Sequence, residues 1–252
     1  MEKDYGVSII VPMYNAENYI SDTLNGLLNQ TYNNFEVVVI DDCSKDNGVK
    51  VVEEFLGKDD RIKLLKNEQN LGVASTRNKG VENAKFDWIA FCDADDVWTS
   101  EKLVKQIDLI EKTGARLCFT GIRFMTNEGT LLDRTFKAPE KVNYKKLLRQ
   151  NVITLSSSIL PKEVCLKYPM HSDNYHEDYI FWLTVLKNDI DFAYGIDEPL
   201  VLYRKANNSK THNKFKALKM TYKTYRKVGI NPFSSMYYTF VNCLKWLKKH
   251  KL

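Results

Sequence analysis

Short apolar runs alternate with segments of helical period along the first half of the chain. Val7–Met13 is almost unbroken in its apolar character, the pattern of a strand buried on both faces. Ala16–Asn29 follows, with Ile20, Leu24, Leu27 and Leu28 on one side of an amphipathic helix. Phe35–Ile40 is a second, β-branched run, and a helix through Val51, Val52 and Phe55 stops at Gly57. Arg61–Lys66 alternates as a third strand, and Gly72–Ala84 reads as a helix. Trp88–Cys92 reads as a buried strand, Glu101–Lys112 as a helix and Leu117–Phe124 as another strand. Together they predict an α/β domain, a parallel sheet with helices on both faces.

After about residue 125 the pattern mixes. It predicts a strand near Thr130–Arg134, a helix at Tyr144–Gln150, a strand at Val152–Leu160 and a helix at Glu177–Lys187. Strands near Phe192–Ile196 and Leu200–Tyr203 follow. Two helices, Lys214–Val228 and Ser234–Lys249, finish the chain on either side of Gly229-Ile230-Asn231-Pro232.

Charge changes the picture more than composition does. Of 37 basic and 32 acidic residues, 13 basic and no acidic ones lie after Glu198. Residues 1–198 are therefore net acidic, and the one-signed tail points to an anionic partner. The five cysteines are odd in number and widely spaced, without a C-x-x-C. That predicts reduced thiols in a cytoplasmic setting and argues against zinc. The amino terminus runs straight into the first strand, so no signal peptide is expected, and no apolar run approaches the roughly 20 residues that span a bilayer.

Chemistry gathers where the strands end. Trp88–Cys92 ends in Asp93, Asp95 and Asp96. Three crowded carboxylates suit a hard cation such as Mg²⁺ or Mn²⁺ bridging to phosphate, or else a solvated turn capping the next helix, with Ser100 as its N-cap. Pro12 and Tyr14 end the first strand and could wall a base, or simply make the turn. Asp42 ends the second and suits a nucleobase N–H or a ribose hydroxyl, or with Ser44 a helix cap. Arg77 could grip a diphosphate, and Glu177 and Asp178 open an apolar helix, either to favour its dipole or to supply a general base. His176 has no histidine at metal-ligand spacing. Dinucleotide, P-loop and nucleophile-elbow motifs are absent.

Five motifs stand in order: Ser8-Ile-Ile-Val-Pro-Met-Tyr-Asn15, Val39-Ile-Asp-Asp-Cys-Ser44, Asn70-Leu-Gly-Val-Ala-Ser-Thr-Arg-Asn78, Asp93-Ala-Asp-Asp96 and Glu177-Asp178. Together they resemble family 2 glycosyltransferases, inverting enzymes of the GT-A fold, over roughly residues 6–210. The resemblance is greatest to bacterial enzymes that build capsular polysaccharide, lipopolysaccharide or teichuronic acid. It implies a Rossmann-like, mostly parallel central sheet, with a nucleotide-binding half at about 1–98, an acceptor half at about 99–210 and a basic amphipathic tail at 211–252. Pro12, Tyr14 and Glu17 would line the nucleotide pocket, and Asp42 would hold the uracil edge of a UDP-sugar. Arg77 would lie near the diphosphate, Asp93 near the ribose or sugar, and Asp95, with Asp96 as its rival, would bind Mn²⁺ or Mg²⁺. Asp178, with Glu177 beside it, would deprotonate the acceptor hydroxyl.

One position departs from the family pattern. Many relatives carry Arg-x-His after the last core strand, whereas this chain has Ala206, so Arg204, Ser209 or His212 would substitute or the metal would have fewer protein ligands. The tail helix carries Met236, Tyr237, Phe240, Val241, Leu244 and Leu247 among lysines, the pattern of a helix lying in a lipid interface, or of one packed on its own domain. Family and tail together imply a lipid-linked glycan acceptor and a peripheral place on the inner face of the cell membrane, with no nucleic-acid partner. Two rival functions remain: a haloacid-dehalogenase-like phosphatase, which also uses an Asp-x-Asp, and a non-catalytic nucleotide-sugar-binding protein.

Overall fold

The structure is a computed structural model, and it describes residues 5–171, 176–205 and 214–250. In chain order the elements are β1 (Val7–Met13), α1 (Ile20–Leu28), β2 (Phe35–Asp41), α2 (Gly48–Leu56), β3 (Ile62–Lys66), α3 (Val73–Glu82) and β4 (Trp88–Phe91). β5 (Val97–Trp98), α4 (Lys102–Thr113), β6 (Cys118–Met125), β7 (Leu131–Phe136), β8 (Lys141–Val142) and α5 (Tyr144–Leu147) come next. A 3₁₀ turn at Leu155–Ser157 precedes β9 (Ile159–Pro161), α6 (Lys162–Lys167), α7 (Glu177–Asn188), β10 (Ala193–Arg204), α8 (Lys214–Lys227) and α9 (Pro232–His250).

Among the described residues one sheet runs in the order β3-β2-β1-β4-β9-β6-β10-β5, with β7 on β6 and β8 on β10. The strands from β3 to β4 are parallel, as are β6 and β10. All of β1 is buried, as its unbroken apolar run demands. Successive strand residues face opposite layers. Ile10, Val38, Ile40 and Phe91 pack under α3, α7 and α8, while Ile9, Val37, Val39 and Ala90 pack under α1, α2 and α4. α3 crosses the sheet so closely that a Cβ on Gly80 would lie 2.5 Å from Ile10 and 2.6 Å from Ile40. No bulkier residue lets the helix sit there.

The doubly wound series breaks in the second half. Val152–Leu160, expected as a strand, is instead a 3₁₀ turn followed by the short β9. The Ser157 and Ser158 hydroxyls donate back to the Thr154 and Leu155 carbonyls at 2.7 Å each, which favours a turn over a ladder. β9 then runs antiparallel between β4 and β6, so those two strands are not neighbours. The two strands expected within 192–203 are one strand, β10, whose register against β6 shifts on either side of Pro199. Proline lacks a ladder donor, and a bulge accommodates it. α1 begins at Ile20 rather than at Ala16, because Asn15 takes a left-handed φ of 51° and Ala16–Tyr19 form a turn. Ser100 does not cap α4. That position falls to Glu101, without a side-chain bond. The five cysteines are unpaired. Among the described residues no helix is long and apolar enough to cross a membrane.

Candidate active site

From β1 the chain winds outward through β2 and β3, then returns to the opposite side of β1 as β4. Sheets of this kind open a crevice at such a reversal, outside the carboxyl ends of the strands. Pro12 is buried in the ladder opposite Ile40, and Tyr14 stands half exposed just beyond the strand end. Of the two residues expected to wall a base, Tyr14 is the exposed one. Glu17 Oε2 accepts from the Asn47 amide at 2.8 Å and from Asn47 Nδ2 at 3.1 Å, lacing the loop after β1 to the start of α2.

Asp42 is buried and caps no part of α2, whose N-cap is Asn47. Its Oδ1 accepts from Asn67 Nδ2 and the Leu71 amide at 2.8 Å each, and its Oδ2 from the Gly72 amide at 2.9 Å. Gly72 takes φ 79° at the N-cap of α3, a left-handed conformation that favours glycine. The carboxylate thus fixes the loop that launches α3. Three bonds leave part of its acceptor capacity for one further donor.

The turn Asp93–Asp96 is held from several directions. Ser156 Oγ accepts from the Asp93 amide at 3.1 Å, Thr23 Oγ1 donates to the Ala94 carbonyl at 2.9 Å, and the Asp96 amide donates to the Asp93 carbonyl at 3.1 Å. Arg204 supplies the rest. Its amide donates to Asp96 Oδ1 at 3.0 Å, its Nε to the Asp95 carbonyl at 2.9 Å, its Nη1 to the Asn127 carbonyl at 2.6 Å and its Nη2 to Asp22 Oδ2 at 3.0 Å. The buried guanidinium of Arg204 thus braces the acidic turn. Ala206, Ser209 and His212 lie outside the described residues.

The three acids differ in what they present. Asp93 pairs with Arg77, Oδ1 to Nη2, at 2.6 Å. Asp96 is buried with Oδ1 taken by the Arg204 amide. Burial and the charges of Asp95 and Asp93 push its carboxyl well up, although Ser156 and the Arg204 amide favour its ionised form. Its Oδ2 is buried without a hydrogen-bond partner. Asp95 is only partly buried, and among the described residues no other side chain donates a hydrogen bond to its carboxylate. Burial and the Asp93 charge raise it to about 6.

Arg77 joins this turn to α7. Nearly all of its side chain is buried, with Nη1 3.7 Å from Glu177 Oε1. The charges of Asp93, Glu177 and Asp178 outweigh burial and keep the guanidinium ionised. Asp178 accepts from the Tyr179 amide at 2.7 Å and from Asn151 Nδ2 at 3.3 Å. Burial and the Glu177 charge raise its carboxyl, while His176, the Tyr179 amide and Arg77 hold it back. The fold thus brings Asp93, Arg77, Glu177 and Asp178 together from β4, α3 and α7. Beside Glu177 opens a cleft lined by Tyr168, Met170, His171, Phe181 and Thr184.

Ser156, Thr23, Asn67 and Asn151 had no assigned role in the sequence. Their partners are distant along the chain, and a small polar residue, in a loop or, like Thr23, on a helix, carries no signal of which distant group it meets. Asn78 sits inside a motif, but its paired bonds to the Met170 backbone, 2.7 and 3.0 Å, become visible only in three dimensions.

The fit of a cation can be judged from these donors. Among the described residues no three His, Cys, Asp or Glu side chains converge on one point. Two under-compensated carboxylates remain: Asp95, and Asp96 through its buried Oδ2, which has no hydrogen-bond partner. Mg²⁺ habitually takes one or two carboxylates and completes its shell with phosphate oxygens and water, so the residues fit a cation that arrives with a diphosphate.

Residues 8–161 match the model of glycosyl transferase family 2. A candidate teichuronic acid biosynthesis glycosyltransferase of Bacillus subtilis is 35% identical over 246 residues, covering 98% of this chain and 97% of that protein. An Escherichia coli UDP-Glc:α-D-GlcNAc-diphosphoundecaprenol β-1,3-glucosyltransferase is 37% identical over 248 residues, with 98% and 96% covered. Among solved structures, residues 1–349 of S. aureus TarS in complex with UDP-GlcNAc superpose with a TM-score of 0.72 at 20% identity, over 97% of this chain and 72% of that one. A Pyrobaculum calidifontis mannosyltransferase in complex with GDP-Man and Mn²⁺ gives 0.68 at 16% identity, over 95% and 69%. These two likenesses concern the fold.

Proposed function

We propose, for a chain that belongs to glycosyl transferase family 2 and is a glycosyltransferase, transfer of a sugar from a UDP-sugar to a hydroxyl of a lipid-linked glycan in bacterial surface polysaccharide synthesis. The donor and acceptor classes follow the name of the E. coli relative, and the polysaccharide class that of the B. subtilis one. Family membership sets the phosphatase reading aside, and the acidic motif stands at the end of β4 rather than of the first strand.

The observation that carries the reading is Arg77 between Asp93 and Glu177, which holds the donor-side turn and the amino end of α7 at fixed spacing. Tyr14 offers its exposed ring to a base, and Asp42 keeps acceptor capacity for the uracil N–H. The buried positive charge of Arg77 favours an anion in the crevice, with Asp93 toward the ribose or sugar. Asp95 would hold Mn²⁺ or Mg²⁺, which when bound offsets the negative charge of the leaving diphosphate. Asp178 takes the proton of the acceptor hydroxyl as that oxygen bonds to C1, and the bond from C1 to the diphosphate breaks on the opposite face. One displacement inverts the anomeric centre and requires no enzyme nucleophile. The raised carboxyl of Asp178 makes it a stronger base than an ordinary aspartate. A lipid-linked acceptor places the enzyme at the inner face of the cell membrane.

Calorimetric titration with UDP, with and without Mn²⁺, tests the donor half on wild type and Asp95→Asn. The reading expects affinity to fall about tenfold or more when metal is withheld or Asp95 is changed. Equal affinity in all cases would remove the metal from the account, and absence of UDP binding would remove the uridine role of Asp42.

A further inference from the structure

The inward side of α9 is mostly polar, with Tyr238 as an apolar contact to the core and to Tyr225. Ser235 is fully buried, Thr239 nearly so, and Asn242 donates to the hydroxyl of the buried Tyr225. The inward polar groups are satisfied: Ser235 Oγ donates to the Ile230 carbonyl at 3.2 Å and Thr239 Oγ1 to the Ser235 carbonyl at 2.7 Å. The opposite face carries Phe233, Met236, Tyr237, Phe240 and Leu244, spaced at helical intervals and exposed by 84% for Phe233 down to 44% for Leu244. A helix that merely covers its own domain has the reverse arrangement. Exposed apolar stripes of this length mark interaction surfaces.

The charge around the stripe selects the occupant. α8, which packs on α9, exposes Lys219, Lys223, Arg226 and Lys227, and residues 199–252 contain no acidic group. A second copy would bring like charges together. α9 is 19 residues, about 28 Å, long, and it is not apolar enough to cross a membrane. Apolar insertion beside basic groups matches a bilayer surface with anionic headgroups.

We infer that the exposed apolar face of α9, aided by the exposed basic residues of the adjoining α8, docks this enzyme on an anionic phospholipid bilayer. The inference is independent of the donor site. α8 is bound to α7, the helix whose first turn holds Asp178, through Tyr225. Its hydroxyl lies 2.9 Å from that of Tyr179 and donates to the Leu148 carbonyl at 2.7 Å. The docking face is therefore fixed relative to the acceptor side of the crevice.

The test is co-sedimentation of the full chain with vesicles of phosphatidylcholine alone or mixed with phosphatidylglycerol. Wild type and Phe233→Ser/Phe240→Ser are compared. The expected result is binding to anionic vesicles that weakens about tenfold or more in the double variant, and that weakens as well in about 0.5 M salt. Both substituted side chains are exposed, so the fold, checked by circular dichroism, and UDP release from a soluble donor should not change. Wild type remaining unbound with anionic vesicles, or a double variant that binds as wild type does, overturns the inference. A wild-type dimer that dissociates in the double variant without any vesicle binding reassigns the face to a second copy. UDP release reports on the transferase reading by itself, so the two fail separately.

Discussion

Arg77 Nη2 lies 2.6 Å from Asp93 Oδ1, and the same guanidinium turns Nη1 toward Glu177 at 3.7 Å. One buried cation thus spaces the acidic turn after β4 from the amino end of α7. Arg77→Lys keeps the charge but offers a point in place of a two-sided fork. The expected result is a loss of about 100-fold in kcat/KM with the fold retained, read by UDP release and circular dichroism. An Arg77→Lys enzyme within a few-fold of wild type would mean that charge alone suffices and that the fork does not set the spacing.

Asp42 offers acceptors to three donors from Asn67, Leu71 and Gly72. Asp42→Asn turns one acceptor into a donor facing donors. A loss of about 2 kcal/mol, seen as a Tm lower by about 5 °C, is expected, together with weaker UDP binding. Unchanged Tm in a thermal melt would show that the loop before α3 is held by something else.

Lys102 is fully buried, with Nζ 2.7 Å from Gln106 Oε1 and 3.5 Å from the centre of a Trp98 ring. Burial lowers it to about 7. The unfolded chain binds this proton more tightly, so the contribution of Lys102 to stability rises with pH from about 7 toward the unfolded value near 10 and is absent below about 7. The stability difference between Lys102→Met and wild type should therefore shift by about 2 kcal/mol in favour of wild type between pH 7 and 9. Denaturant melts at both pH values measure it. A difference that does not vary with pH would mean that Lys102 stays charged in the folded protein.

Much of the first half of the chain was legible because its signals are local. The apolar runs at 7–13 and 35–40 became β1 and β2 with nearly the expected bounds, and the acids that end β4 and open α7 stood out as breaks in apolar segments. What was not legible depends on partners far apart in the chain. Ser156 steadies Asp93 across 63 residues, and Arg204 reaches back 108 to Asp96. β9 enters the sheet because hydroxyl–backbone bonds in a serine run outweigh β propensity just before it. For the same reason the bonds of Arg204 to the Asp95 and Asn127 carbonyls were not legible: a lone arginine after a strand does not reveal which distant groups its guanidinium meets. α9 was legible as amphipathic, but sequence alone left open which side faced the protein.

Asp178 as base is the central claim, and transfer by Asp178→Asn tests it most directly. The measurement follows sugar transfer from UDP-glucose to a GlcNAc-diphospholipid acceptor across pH, with UDP affinity in parallel. The base must be ionised, so kcat/KM in wild type should fall as pH drops, with a midpoint above the ordinary aspartate range because burial and Glu177 raise this carboxyl. The variant should bind UDP as wild type does, transfer about a thousandfold more slowly and lose that acid limb. Transfer by Asp178→Asn at near wild-type rate, with the acid limb intact, would contradict the account and move the search for the base to Glu177.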